Sequence, residues 1–342
     1  DIFSREPRPV YAPEMDILRF DEHWKYDPQT EIPYLWSEAA NYFYRGQKIA
    51  HLKGGNLYEE PVLEFEDGAL MGVELLPIDI GKMVEKNREI MLATQQFAVK
   101  RIYNYWHHWK DRLDCFHVAF SGGKDSVVLL DLVKRALPKS AFIVIFGDTG
   151  MEFSDTYALI DEVEEDCRAE GISFYRAKSD LEPLNSWRIF GAPSRVLRWC
   201  CSVHKSAPQT IKLREILGKS NYVGADLVGV RKHESVRRAD YEYENFGMKQ
   251  RGQYSFNPIL EWNSAEIWLY IYSFALPINA AYKKGNSRAG CLFCPMSSGR
   301  ADFFRRHCYT AEVDKYIDTI RETVTDENRS EERRVGKECR SR

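Results

Sequence analysis

The sequence predicts an α/β protein: a parallel sheet with helices on both faces, plus a small β-containing module at the N-terminus. Three observations carry this. Beyond residue 113 short apolar runs alternate with amphipathic stretches. "FHVAF" (116–120), "AFIVIF" (141–146), "ISFYRA" (172–177) and "ADLVGV" (225–230) read as strands, with helices at 127–137, 155–169 and 205–217. Helices of this length between strands imply right-handed crossovers, which lay the strands parallel and cover both faces of the sheet. The candidate motifs fall at the carboxyl ends of these strands, where open parallel sheets bind ligands. The chain has 342 residues, 44% hydrophobic and 29% charged, enough for a full core with a smaller domain attached.

In chain order, residues 1–76 are aromatic-rich and broken by turns around Gly46, Gly54, Gly55 and Gly68, which suits the small β-containing module. Residues 77–113 form a helical linker, with Met83, Ile90, Met91, Phe97, Val99, Ile102 and Tyr105 at mostly helical spacing. The main domain spans 114–300, and a helical segment follows at 301–328. The last fourteen residues, 329–342, match the in-frame translation of a common sequencing adapter and are set aside as an artefact. Removing their six Lys/Arg and three Asp/Glu takes the formal charge from −3 to −6, so no global basic field recruits nucleic acid. The chain opens at Asp1 without Met, as a processed protein or a fragment would. It shows neither a membrane-length apolar run nor a signal peptide, and the expected location is the cytoplasm. In that reducing setting the eight cysteines read as ligands, redox groups or packing residues rather than disulfides.

"SGGKDS", Ser121 to Ser126, lies directly between the first strand of the main domain and its helix. Gly122 and Gly123 let the backbone turn tightly and approach an anion. The helix start offers unpaired N–H groups and a positive dipole, and Lys124 adds a full charge. This is a phosphate cradle, although its adjacent glycines do not fit the G-x-x-x-x-G-K-[ST] loop.

The motif "FSGGKDS" resembles the pyrophosphate loop of the adenine nucleotide α-hydrolase superfamily, and in particular the phosphoadenosine phosphosulfate (PAPS) reductase family. Further segments match in order. "GDTGMEFSDTY" (147–157) is similar to D-T-G-x-x-F-x-E-T-Y, with Asp155 where Glu is usual. "GVRKHESVRR" (229–238) is similar to G-x-R-x-x-E-S-x-x-R, and "NPILEWNSAEIWLYIYSFALPINAAYKKG" (257–285) is similar to P-I-x-x-W-x-x-x-D-[IV]-W-x-Y-I. The resemblance spans about residues 114–300 and implies an adenine nucleotide, ATP or adenosine phosphosulfate/PAPS, with Mg²⁺ as the partner of ATP. It implies nucleotide contacts from Ser121, Gly122, Gly123, Lys124, Asp125, Ser126, Asp148, Thr149, Gly150, Arg231, Arg237 and Arg238. Lys124, Asp125, Asp148 and Arg231 are the candidate catalytic residues; Asp148 would orient the loop, the ribose or a metal-bound water, and the arginines would meet phosphate or sulfate oxygens.

"RWCCSVHKSAP" (198–208) and "GCLFCP" (290–295) supply four thiols, Cys200, Cys201, Cys291 and Cys294. Zinc normally takes two C-x-x-C-like knuckles, a geometry that an adjacent pair fits less easily. A cubane, whose irons are separate corners, accepts neighbouring cysteines. The adenosine phosphosulfate reductases place C-C-x-x-R-K-x-x-P and a later C-x-x-C around a [4Fe–4S] cluster. Here the first motif is C-C-x-x-H-K-x-x-P, with His204 in place of Arg and with Lys205 and Pro208 retained. The resemblance therefore implies cluster ligands, with Zn²⁺ as the alternative and four unlinked thiols as a third reading. Cys115, Cys167 and Cys308 are expected to pack.

The family's reductases also use a nucleophilic cysteine in a C-terminal E-C-G-[IL]-H motif, but the one "EC" here, Glu338–Cys339, lies in the adapter-like tail. Reductases usually carry a degenerate loop, whereas ATP-using members keep the full S-G-G-K-D-S. The expectation is ATP-dependent adenylation with pyrophosphate release, coupled to sulfur transfer from a sulfur donor, with nucleic acid as a possible acceptor. Reduction of adenosine phosphosulfate or PAPS to sulfite by a thiol reductant protein is the alternative, and a non-catalytic nucleotide-binding subunit is the third. Tyr42, Phe43, Tyr44, Arg45, Lys48 and Lys53 interleave rings and cations in a pattern that suits nucleic acid. A half-buried sheet with a solvated rim is the favoured reading of them.

Overall fold

The computed structural model describes residues 6–323 apart from 67, 69–71 and 248–251; the tail set aside above lies outside the described residues, and so does the Arg237 side chain. The N-terminal module is an antiparallel sheet of β1 (Arg8–Val10), β2 (Leu35–Glu38), β3 (Asn41–Tyr44), β4 (Gln47–Gly54) and β5 (Pro61–Phe65), hydrogen-bonded in that order, with α1 (Ala12–Ile17) after β1. Its core gathers Val10, Met15, Phe20, Trp24, Leu35 and Tyr42, and takes in Phe303 and Phe304 from α11 (Gly299–Cys308), far along the chain. Tyr42 is fully buried, while Lys48 and Lys53 pair with Glu66 and Glu64 across the sheet. The half-buried-sheet reading of this stretch is the one realised.

The helical linker is two helices, α2 (Ile80–Lys86) and α3 (Arg88–Trp109). Asn87 makes the break: its side chain donates to the Met83 carbonyl at 2.8 Å, an alternative to the helical ladder that Asn favours.

The main domain contains β6 (Cys115–Phe120), α4 (Lys124–Ala136), β7 (Ile143–Asp148), α5 (Ser154–Ala169), β8 (Phe174–Lys178), α6 (Pro183–Phe190), α7 (Trp199–Cys201), α8 (Ala207–Leu217), β9 (Gly224–Leu227), β10 (Glu244–Phe246), β11 (Gln253–Phe256), α9 (Ser264–Ser273) and α10 (Ala280–Lys283); α11 and α12 (Thr310–Thr323) follow. Its sheet runs β10-β11-β9-β6-β7-β8, parallel throughout except for β10 at the edge. Alternation along β6 sends Phe116, Val118 and Phe120 into the core shared by α3, α4, α5 and α9. Cys115 instead joins Ile145, Ala177 and Leu213 beneath α8. Helices thus cover both faces, as expected.

Two details differ from the sequence reading. The strand expected at 225–230 ends at Leu227, after which the chain crosses α4 so closely that a Cβ on Gly229 would sit 2.9 Å from the Asp125 carbonyl oxygen. β10 and β11 were not anticipated, because "ENF" and "QYSF" are too short and polar to stand out. Among the described residues no helix is long and apolar enough to cross a membrane.

Candidate functional site

Chain order along the sheet reverses at β6: β7 and β8 build outward on one side, then β9 returns to the other. That reversal is the topological switch point at which such sheets open a crevice. Here lies a cleft of about 650 Å³, lined by Ser121, Gly123, Lys124, Asp125 and Ser126 from the loop after β6 and by Gly229, Arg231, Glu234 and Arg238 from the segment after β9.

The loop is held from several sides. Gly122 adopts φ +70°, open to glycine at little cost, and its carbonyl accepts from Asn279 Nδ2 at 3.0 Å. Ser126 Oγ donates to the Gly123 carbonyl at 2.8 Å and accepts from the Ser121 N–H at 3.2 Å. Gly123 has no side chain with which to cap α4, so no N-cap side chain screens the start of the helix, which faces the cleft. The Lys124 N–H donates to the Tyr282 hydroxyl at 3.0 Å.

Charge favours an anion. Arg8, Lys124, Lys205, Arg231, Arg238 and Arg288 line the cleft against Glu6, Asp125, Asp226 and Glu234, an excess of two cations. Burial pulls the Arg238 guanidinium below its usual range, and the like charge of Arg288 adds to this. The Glu234 carboxylate pairs with both arginines, with Arg288 at 3.4 Å, and meets part of that repulsion within the protein. Asp125 shows the opposite balance: burial pushes its carboxyl up, but Lys124 at 3.0 Å and Arg231 at 2.6 Å outweigh this and hold it below the usual carboxylate range.

Arg231 is placed differently from the sequence expectation. It is fully buried; Nε donates to Asp125, and Nη1 and Nη2 grip Glu6 at 2.7 and 3.0 Å. A guanidinium so occupied lines the cleft and also ties the N-terminal segment to the loop. Asp148, Thr149 and Gly150, also read as nucleotide contacts, lie outside the lining of the cleft. Asp148 Oδ1 accepts from the Gly150 N–H at 2.9 Å and from Tyr157 Oη at 2.8 Å, which shapes the turn after β7.

That turn meets the thiols. Glu152 and Cys291 form an antiparallel bridge, the Leu292 N–H donates to the Met151 carbonyl at 2.6 Å, and Thr149 Oγ1 stands 3.6 Å from Cys291 Sγ. Cys200 and Cys201 both come from α7, just before the π-type turn over Ser202–Ser206. The Cys200 thiol is raised far above its ordinary range, first by its hydrogen bond with Cys201, then by burial and by the charges of Cys201, Cys291 and Cys294. Cys201 is drawn down to about 6, chiefly by the hydrogen bond from Cys200, with Arg198 and Lys205 adding to it against burial. The four cysteines therefore occupy one neighbourhood. Among the described residues, however, no three His, Cys, Asp or Glu side chains converge as a ligand set for a single ion. His204 is buried beneath this region with Nε2 2.9 Å from Ser186 Oγ, and burial lowers its basicity. Cys115 and Cys167 pack among apolar residues.

Sequence reasoning passed over Glu6, Asn279, Tyr282, Glu234 and Arg288. Asn279 and Tyr282 lie within the 257–285 segment singled out above, so position offered a signal. Glu6 offered none, because it reaches the cleft from another module.

The family model of the phosphoadenosine phosphosulfate reductase domain matches residues 116–297, more than half of the chain. The chain belongs to this family. Similar curated proteins include two uncharacterised proteins of Methanocaldococcus jannaschii, one 32% identical over 73% of this chain and 50% of its own length, the other 29% identical over 83% and 66%. The chain thus spans half and about two thirds of those relatives. The adenosine 5'-phosphosulfate reductase of Geobacillus thermodenitrificans is 31% identical over 52% of this chain and 71% of that protein. Among solved structures, phosphoadenylyl-sulfate reductase from Candida auris, a phosphate complex, aligns over 61% of this chain and 94% of that one at 19% identity with a TM-score of 0.42, too loose a likeness to argue from.

Proposed function

We propose that the protein binds Mg-ATP at the Ser121–Ser126 loop and adenylates an acceptor with release of pyrophosphate, and that sulfur transfer follows. The observation that carries this reading is the complete loop at the start of α4, in a cleft with excess positive charge. In this reading the β- and γ-phosphates lie against Gly123 and the first turn of α4. Lys124, Arg238 and Arg288 offset the charge that develops on the leaving pyrophosphate. Tyr282, accepting from the Lys124 N–H, keeps its own proton available to a phosphate oxygen. Asp125 and Arg231 act as positioning residues that hold Lys124 and the loop. An acceptor oxygen attacks the α-phosphorus, and a sulfur donor then displaces AMP from the adenylate; nucleic acid is the acceptor class we favour.

Cys200, Cys201, Cys291 and Cys294 would hold the iron–sulfur cluster. Four thiols from two segments suit a cluster's donor set, and the adjacent pair Cys200–Cys201 fits separate irons more easily than one tetrahedral zinc. Such a cluster, when bound, supplies a soft, redox-active site for sulfur. The second reading, reduction of adenosine phosphosulfate to sulfite, is favoured by the curated relatives that bear that activity in their names.

The test is anaerobic incubation with Mg-ATP, or with adenosine phosphosulfate and a thiol reductant, and identification of products by mass spectrometry. AMP and pyrophosphate from ATP support adenylation; sulfite and AMP from adenosine phosphosulfate support the reductase; neither product overturns both. Lys124→Ala should abolish turnover and spare iron content, whereas Cys201→Ser should lower iron content and leave nucleotide affinity intact.

A further inference from the structure

We infer that the outer face of α3, near its C-terminal end, is a docking platform for single-stranded nucleic acid. Residues 100–112 read "KRIYNYWHHWKDR", six rings and four Lys/Arg within thirteen positions. The helix buries Ala98, Ile102 and Tyr105 against the sheet and turns other rings outward, with Phe97 63% and Tyr103 45% exposed. Between this face and the sheet edge runs a groove of about 370 Å³, whose walls include Phe97, Lys100, Arg101, His108, Trp109 and Glu244.

The cations are held by rings rather than by carboxylates. Arg101 lies 3.6 Å from the Tyr243 ring centroid and 4.7 Å from that of Phe97, Lys110 lies 5.2 Å from Trp106, and Arg112 lies 5.7 Å from Trp109. Among the described residues none of Lys100, Arg101, Lys110 and Arg112 forms a salt bridge, unlike Lys48 and Lys53 of the N-terminal module. Glu261, near Tyr243, pairs with Lys232 at 2.6 Å, and Asp111 and Glu244 are outnumbered by the four cations, which leaves this face cationic. An apolar protein surface laid here would have to bury four cations without partners, which is costly. A polyanion with flat π-faces neutralises the cations and stacks on the rings at the same time. Charge complementarity and ring exposure therefore point to the same occupant.

The platform is not the nucleotide cleft. α3 leads into the N-terminal end of β6, whereas the loop leaves its C-terminal end, about 20 Å away along a strand of this length. An oligonucleotide on α3 and ATP in the cleft therefore bind together.

The experiment titrates the protein with labelled oligouridine of about twelve nucleotides, and in parallel with oligothymidine and a duplex of the same length, following anisotropy. Both single strands should bind more tightly than the duplex; a preference for oligouridine identifies RNA as the source of the ligand, and a preference for oligothymidine identifies DNA. Neutralising four phosphates predicts roughly a 50-fold loss of affinity between about 50 and 200 mM salt. Joint Phe97→Ala and Lys100→Ala substitution, at exposed positions that folding does not need, should weaken binding about tenfold or more, while saturating ATP leaves it unchanged. Absence of binding, or equal binding by that variant, overturns the proposal; so does a self-association that the variant abolishes while oligonucleotide affinity stays the same, which makes the face a protein interface. Oligonucleotide binding is read without turnover, so failure to release AMP from ATP would strike the proposed function and leave this inference standing.

Discussion

Arg231→Met tests whether a buried ion pair, and not a ligand contact, is what this arginine supplies. The guanidinium is fully buried and makes three short hydrogen bonds, one to Asp125 at 2.6 Å and two to Glu6 at 2.7 and 3.0 Å. Methionine keeps the apolar stem and removes the charge. The Glu6 side chain is 36% exposed and regains water once released, so its share of the loss is small. Asp125 is 19% exposed and keeps only Lys124 at 3.0 Å. Breaking a buried pair by removing one partner costs about 3–5 kcal/mol, and the remaining lysine places this case near 3 kcal/mol. Urea unfolding at neutral pH measures that loss. Asp125→Asn combined with Arg231→Met leaves no stranded carboxylate, so the double variant should be more stable than the sum of the single losses by about 1–3 kcal/mol. A loss below about 0.5 kcal/mol, or strict additivity, would refute the buried-pair account and return Arg231 to the role of a free phosphate ligand.

Gly229→Ala should disturb nucleotide binding more than its size suggests, because the new Cβ meets the Asp125 carbonyl carbon and oxygen at 3.0 and 2.9 Å, and backbone must yield; a cost of about 1–3 kcal/mol with a raised KM for ATP is expected, read by unfolding and steady-state kinetics. Asn279→Ala removes donors to the Gly122 carbonyl at 3.0 Å and to Thr156 Oγ1 at 2.9 Å inside a closed site, so it should cost about 1–3 kcal/mol, and a change confined to kcat with unaltered stability would contradict that. The Asp125 carboxyl is held below its usual range in the folded state, so its contribution is complete above the unfolded value near 4 and is lost as pH falls through the lower folded value. Wild-type stability should therefore decline more steeply than that of Asp125→Asn below about pH 5, and parallel pH profiles would show that Asp125 is not the group responsible.

The strands and helices of the main domain were legible because burial on both faces writes itself as apolar runs between amphipathic ones, and the phosphate loop because its glycines and lysine sit in a fixed local order. The edge was not legible: β10 and β11 are three and four residues long and owe their place to pairing with β9, a long-range contact with no local periodicity. The break at Asn87 hid inside a helical pattern, since one side-chain hydrogen bond decides it. At the site, the loop follows β6 as its local order implies, Arg231 lines the same cleft as a buried ion pair, and Asp148 lies in the turn after β7. A motif names residues that gather in space, but which neighbour satisfies each charge is settled by chains that arrive from elsewhere. Glu6, from the N-terminal segment, takes the arginine; Gly150 and Tyr157 take the Asp148 carboxylate.

The relation between the cleft and the thiols follows from one short stretch. Cys201 ends α7, the chain makes a π-type turn over Ser202–Ser206, and Lys205 reaches the cleft one turn later. The same ammonium acts on Cys201, Cys291 and Glu152 through its charge, so it belongs to both centres at once. Thr149 and Glu152, from the turn after β7, close the other side against Cys291. A purely structural staple would serve as well at the far end of the sheet, away from any substrate. Here two segments that carry the thiols are folded against the rim of the anion cleft, with one lysine shared between them. In the function proposed above, that placement lets chemistry on a bound nucleotide and on a sulfur atom share one rim, with Lys205 between them.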